Sequence, residues 1–128
     1  MDTATHELLR YAPPAQAQAK VCVRATELAG APIATGDTVT VLLGSACRDG
    51  ARFPAPDALR LDRHPNPHLA FGRGPHACLG QPLHLAQPRA TLPHLSRHQA
   101  GLRLAGTPHR EPNPVLRGLI SLPLSTAA

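Results

Sequence analysis

Aromatic residues are nearly missing from this sequence, which has one Tyr, two Phe and no Trp in 128 residues. Aromatic side chains supply much of the buried area in an ordinary core, so the aliphatic core here is expected to be thin. A chain of this length buries a smaller share of its surface than a large one. It amounts to one domain, or to part of one. The lack of aromatics also removes the stacking surfaces that nucleic-acid binders use, and the basic residues are scattered without a basic run. The net charge of +5 therefore points to solubility or an acidic protein partner, not to nucleic acid.

Cysteine is equally sparse. Cys22, Cys47 and Cys78 are an odd number with no C-x-x-C spacing, which disfavours both a disulfide framework and a zinc ribbon. A reducing, cytoplasmic location is the expectation. No apolar run is long enough to cross a bilayer. The stretch from Met1 to Glu7 is polar and has no apolar signal region. Internal repeats and low-complexity tracts are absent as well.

Proline and glycine are abundant instead, at fifteen and ten residues. They shorten helices and multiply turns. The pattern predicts a short helix over Thr3 to Tyr11, ended by Pro13-Pro14. Val21, Val23 and Ala25 alternate with polar or small neighbours and predict a strand. Turn signals at Ala29-Gly30 and Gly36-Asp37 flank a short extended piece at Ile33. Thr38 to Leu43, rich in β-branched residues, is the best strand in the chain. Ser45 to Pro67 reads as irregular, and an irregular stretch of that length is normally functional or disordered. Leucines at 79, 83, 92 and 95 predict a helix from Leu79 to Leu95. Pro82 fits its first turn, whereas Pro88 and Pro93 should each kink it or cost about 3 kcal/mol. Strand-like segments follow at Leu102 to Ala105 and Leu116 to Leu124. The expected class is α+β.

The most informative window is Phe71-Gly72-Arg73-Gly74-Pro75-His76-Ala77-Cys78-Leu79-Gly80. Its spacing presents one sulfur from a tight loop just ahead of a helix. A thiolate ligand must lose its proton, and the dipole and free N–H groups of a helix start favour the anion. Gly72, Gly74 and Gly80 let the backbone come close to the sulfur without a side chain intervening. Phe71 can shield the sulfur from water, and His76 and Arg73 can donate to carboxylates of a ligand.

This F-G-x-G-x-H-x-C-x-G pattern resembles the haem-binding loop of the cytochrome P-450 monooxygenases, with every fixed position filled. The resemblance implies haem b (iron protoporphyrin IX) as cofactor, with Cys78 as its axial iron ligand. A thiolate there pushes electron density onto iron and favours O–O cleavage. Upstream, Glu7-Leu8-Leu9-Arg10 matches the E-x-x-R motif of the same family. Residues three apart share a helix face, and by family Glu7 and Arg10 clamp a basic residue at the place of Arg63. Lys20 stands where the family usually has an arginine that pairs with a haem propionate. Lysine keeps that charge but loses the planar fork. Tyr11-Ala12-Pro13-Pro14, Ser45-Ala46-Cys47-Arg48-Asp49 and Phe53-Pro54-Ala55-Pro56-Asp57 resemble bacterial members.

By this resemblance residues 1–128 are a single partial domain, the C-terminal part of the cytochrome P-450 fold, whether a truncated or a decayed gene product. The family's oxygen-activating helix lies upstream of E-x-x-R, so turnover by this chain alone is not expected. Leu85 stands where an arginine is usual, Gln87 replaces an acid, and Pro88 interrupts the following helix. The whole family enzyme takes electrons from a ferredoxin- or flavin-type donor and inserts one oxygen atom of O₂ into a small organic substrate. The portion absent here could be supplied by a missing N-terminal polypeptide. Two alternatives stand beside this reading: a haem-binding remnant without turnover, and a small basic interaction protein that binds no haem. The other histidines lack ligand spacing except His94 with His98, for which no third ligand is visible. Cys22 and Cys47 read as small packing residues.

Overall fold

The computed structural model describes residues 2–99 and 101–126. Helix α1 spans Asp2–Tyr11, with Asp2 in its first turn and Arg10 in its last, the charge order that suits the helix dipole. It ends at Tyr11, two residues before Pro13, as expected. Strand β1 (Gln18–Val21) pairs antiparallel with β4 (Thr38–Val41), Gln18 opposite Val41 and Val21 opposite Thr38. Between them, β2 (Thr26–Leu28) and β3 (Ala31–Ile33) form a hairpin. Its two-residue loop is Ala29-Gly30, with φ of 51° and 83°. Positive φ at both positions is what a tight hairpin of this hand requires.

Two strand predictions are displaced. The strand expected over Val21 to Ala25 is β1, and it stops at Val21. Cys22 then closes the ladder through bonds with Asp37 and Gly36. Val23 is left 88% exposed, because no second layer meets the alternating valines. The strand expected to reach Leu43 stops at Val41 and becomes the short helix α2 (Leu43–Ala46). Leu43 is buried there, and the Gly44 N–H is held by the Gln16 carbonyl at 3.0 Å.

After the irregular stretch and a 3₁₀ turn at Gly74–His76, helix α3 runs Gln81–His98 with Pro82 in its first turn. Pro88 and Pro93 both lie inside it and neither ends it, so the helix expected over Leu79 to Leu95 forms as one element. His84 and Arg89, the residues four before each proline, are solvent-exposed, so water can satisfy the carbonyls that the prolines leave without a donor. An ion pair between Arg89 and Asp2 at 2.8 Å ties α3 to α1. Two small ladders follow, β5 (Arg103–Leu104) with β8 (Leu124–Ser125) and β6 (His109–Arg110) with β7 (Leu119–Ser121). The tail meets the α1–β1 connection through Gln16 N–H to Val115 at 2.7 Å and Arg117 N–H to Pro14 at 2.7 Å.

The core is thin, as the composition implied. Among the described residues the buried hydrophobic side chains are Leu43, Cys47 and Phe53, while Thr5, Glu7, Arg10 and Arg63 are buried polar or charged ones. The deepest part of this α+β structure is therefore electrostatic, not apolar.

Candidate functional site

The site is built on a buried charge cluster. Glu7 and Arg10 face the same way from α1, one turn apart, and both are 0% exposed. Arg10 Nε and Nη2 donate to the two Glu7 oxygens at 2.8 Å each, a bidentate fork. Arg63, from the irregular stretch, donates from Nε to the same carboxylate at 3.0 and 3.1 Å. The Arg60 backbone N–H (2.9 Å) and Asn66 Nδ2 (3.0 Å) complete the Glu7 shell. The remaining guanidinium donors go to backbone carbonyls. Arg10 reaches Cys47, Pro56 and Ala58, and Arg63 reaches Pro54, Ala55 and Ala58. Two side chains thus fix the course of a stretch that has no helix or strand of its own after α2.

Burial alone would raise the Glu7 pKa. The hydrogen bonds from Arg10, the Arg60 N–H and Arg63 overcome it and hold the carboxyl down at about 2. Arg10 is moved up, chiefly by its bond to Glu7. Burial pushes the Cys47 thiol up, which keeps it protonated and inert. Cys22 is half-buried, with its thiol 3.0 Å from the Arg24 carbonyl.

The clamped stretch leads directly into the cysteine loop. Gly72 (φ 67°) and Gly74 (φ 81°) occupy the left-handed region, where a side chain costs about 1–2 kcal/mol. The Cys78 N–H donates to the Phe71 carbonyl at 2.9 Å and closes the loop. Cys78 is half-buried three residues ahead of α3. It lines two recesses. One, of about 250 Å³, is walled by Ala15, Ala17, Leu43, Phe71 and His76. The other, of about 560 Å³, lies between Leu79, Leu85 and Arg89. A Cβ on Gly80 would stand 3.7 Å from the Cys78 sulfur and 3.1 Å from His84 Nδ1, so glycine there keeps the approach to the sulfur clear.

The other expected site residues divide. Phe71, Gly72 and His76 line the smaller recess with Cys78. Arg73 and Gly74 are exposed on the rim of the loop. Lys20 is half-buried on β1 opposite Val39 and lines neither recess. His94 is exposed on α3, and the His98 side chain lies outside the described residues.

Sequence reasoning missed a histidine contact beneath the loop. His68 Nε2 lies 3.0 Å from His6 Nδ1, and the Ala70 N–H points to His68 Nδ1 at 3.3 Å. If His68 Nδ1 accepts, its Nε2 carries the proton and donates to His6. The ring row continues from His68 to Phe71 and from Phe71 to His84. Burial pushes the His68 pKa down to about 4, helped by His6 and Arg10 and opposed by Glu7. Neither histidine belongs to a spacing pattern, since they are 62 residues apart.

The donor chemistry suits a haem. A single sulfur stands beside apolar walls, with Gly72 and His76 lining the same recess and Gly80 leaving the sulfur uncovered.

The cytochrome P450 family matches residues 1–98 of this sequence. Cytochrome p450 CYP199A2 of Rhodopseudomonas palustris is 39% identical over 121 residues, covering 94% of this chain and 29% of that protein. The biotin biosynthesis cytochrome P450 of Bacillus subtilis is 40% identical over 103 residues, covering 80% of this chain and 26% of that protein. The crystal structure of P450BioI, in complex with hexadec-9Z-enoic acid ligated acyl carrier protein, superposes with a TM-score of 0.94 at 36% identity. That match covers 98% of this chain and 33% of P450BioI. The chain thus spans about a third or less of the length of the relatives it matches. Sequence and fold agree across nearly all of its own length, and the chain belongs to the cytochrome P450 family of haem-thiolate monooxygenases.

Proposed function

We propose that this chain is the haem-binding portion of a bacterial-type P450 monooxygenase and that Cys78 is the axial ligand to haem iron. The observation that carries the reading is the half-buried Cys78 sulfur, which lines two recesses from a loop closed by its own N–H. When bound, the haem supplies the centre at which O₂ is reduced and one oxygen atom is inserted into a small organic substrate. Cys78 would hold that group through its sulfur. Phe71 limits water at the sulfur, and Gly72, Gly74 and Gly80 leave room for the ring. His76 and Arg73 on the loop are the donors for its propionates, and Lys20, at the family's place for such a donor, is a third on β1. Glu7, Arg10 and Arg63 keep the cysteine loop in position. A ferredoxin- or flavin-type protein supplies the electrons, in a cytoplasmic setting.

A haem-binding unit without turnover is the second reading. It is favoured by Leu79, which is 97% exposed beside Cys78, and by recesses that this chain leaves unroofed to water. Haem added to the purified protein and reduced under carbon monoxide should give the long-wavelength Soret band of thiolate ligation. Cys78→Ala should abolish it. Absence of the band in the parent protein overturns the haem assignment and leaves the basic interaction protein. A band without NAD(P)H-driven oxidation, given redox partners, selects the inactive unit.

A further inference from the structure

A concavity of about 450 Å³ lies apart from the two recesses at Cys78. Its walls are Pro54, Pro65 and Pro67, and three arginines line it: Arg52, Arg60 and Arg63. None of its lining residues is acidic. The Arg52 guanidinium has no hydrogen bond or ion pair among the described residues, its backbone N–H alone being bonded, to the Asp49 carbonyl at 3.0 Å. Arg60 has one loose contact, at 3.6 Å, to an Asp62 that is 80% exposed. Asp57 is engaged by Arg48 at 2.6 Å, Asp49 accepts from the Ala51 N–H at 2.9 Å, and neither lines the cavity.

The charge beneath this concavity is also unbalanced. Arg63 is 5% exposed, and it shares the single carboxylate of Glu7 with Arg10. Two buried guanidiniums against one carboxylate leave one positive charge in excess, softened by carbonyl dipoles and, at longer range, by Asp57 acting on Arg10. A poorly hydrated charge at the floor of a cavity is felt more strongly than the same charge in water. Arg52, Arg60 and the excess on the clamp therefore act together on whatever enters. The proline walls have fixed backbone angles, so little ordering is needed on binding. The volume lies in the range of small-molecule sites.

We propose that this concavity binds an organic anion: a carboxylate or phosphate carried on a small apolar group. Arg52 and Arg60 hold the oxyanion, for which the planar guanidinium fork is suited. The three prolines receive the apolar part. The inference is independent of haem binding.

The test uses the full ¹⁵N-labelled chain at low salt, titrated separately with phenyl phosphate, benzoate and inorganic phosphate and followed by amide shifts. Saturable shifts are expected at Arg52, Phe53, Arg60 and His64 with phenyl phosphate or benzoate, and whichever binds tighter identifies the oxyanion. Arg52→Gln and Arg60→Gln should each weaken that binding tenfold or more, while the exposed Arg24→Gln leaves it unchanged. Both target side chains lie outside the clamp, since Arg60 reaches Glu7 through its backbone N–H. If far-UV circular dichroism shows that Arg60→Gln does not fold, Arg52→Gln carries the test. No saturation at millimolar ligand, or equal weakening by Arg24→Gln, overturns the site. Inorganic phosphate binding as tightly as phenyl phosphate overturns the apolar half of the proposal.

Discussion

Glu7→Gln is the sharpest perturbation available in this molecule. The change is nearly isosteric, so it removes charge without opening a cavity. What remains is two buried guanidiniums facing a neutral amide, one of whose oxygens has become a nitrogen donor. Glu7 accepts from Arg10, Arg63, Asn66 and the Arg60 N–H, and at least one of these donors loses its acceptor. The carboxyl moves from 4.5 to about 2 on folding, which corresponds to about 3 kcal/mol of preference for the ionised form. Removing one partner from a buried ion pair costs about 3–5 kcal/mol. Both routes predict a loss of about 3–5 kcal/mol, a large fraction of the stability of an ordinary domain. Urea unfolding followed by far-UV circular dichroism measures the loss directly. Exchange of the Cys47 amide, which is bonded to Leu43 at 3.0 Å beside the clamp, should accelerate by about two to three orders of magnitude, because each 1.4 kcal/mol is tenfold. The sign with pH is fixed as well. The folded pKa lies below the unfolded value, so the Glu7 contribution is fully present above about 4.5 and is lost as pH falls toward 2. Glu7→Gln should erase that acid limb. A loss under about 1 kcal/mol, with the acid limb intact, would refute the claim that the clamp organises this fold.

Other outcomes follow from the same geometry. His68 is a base with a depressed folded pKa, so its contribution is present above about 6.5 and declines as pH falls toward 4; His68→Gln should flatten the stability profile in that window and leave the lower limb of Glu7 unchanged. Pro88→Ala should restore a backbone hydrogen bond in α3 and raise stability by about 1–3 kcal/mol, visible as greater helicity and a higher urea midpoint; an unchanged midpoint would show that the proline is already accommodated. Gly72→Ala places a side chain at φ 67° and should cost about 1–2 kcal/mol, again by urea unfolding, whereas Gly50→Ala, with open space around its Cβ, serves as the comparison. With three buried hydrophobic side chains among the described residues, the haem-free chain should melt over a broad range, and a single sharp calorimetric transition would count against that.

Local chemistry made several features legible in advance. The helix over Thr3 to Tyr11, the Ala29-Gly30 turn and the placement of Pro82 each depend on backbone preferences within a few residues. The cysteine loop was legible for a related reason, since its glycines are required by φ values that the Gly72 and Gly74 positions adopt. The order of E-x-x-R, irregular stretch and loop carried the family resemblance, and with it the pairing of Arg63 with Glu7. Errors arose where a neighbour distant in sequence decides. Val23 alternates like a strand residue but meets no second layer, and Leu43 leaves its strand to be buried near the clamp.

The sequence by itself determined a scarce apolar core, a glycine-shaped thiol loop and a one-turn acid–base pair, because composition and i, i+3 spacing are properties of the chain. Tertiary structure alone decided that the Arg60 N–H and Asn66 complete the Glu7 shell, that His6 meets His68, and that Arg52 and Arg60 line one cavity without an acidic residue. Those juxtapositions join residues up to 62 positions apart, and only the folded path of an irregular backbone, pinned by carbonyl contacts to two guanidiniums, brings them together.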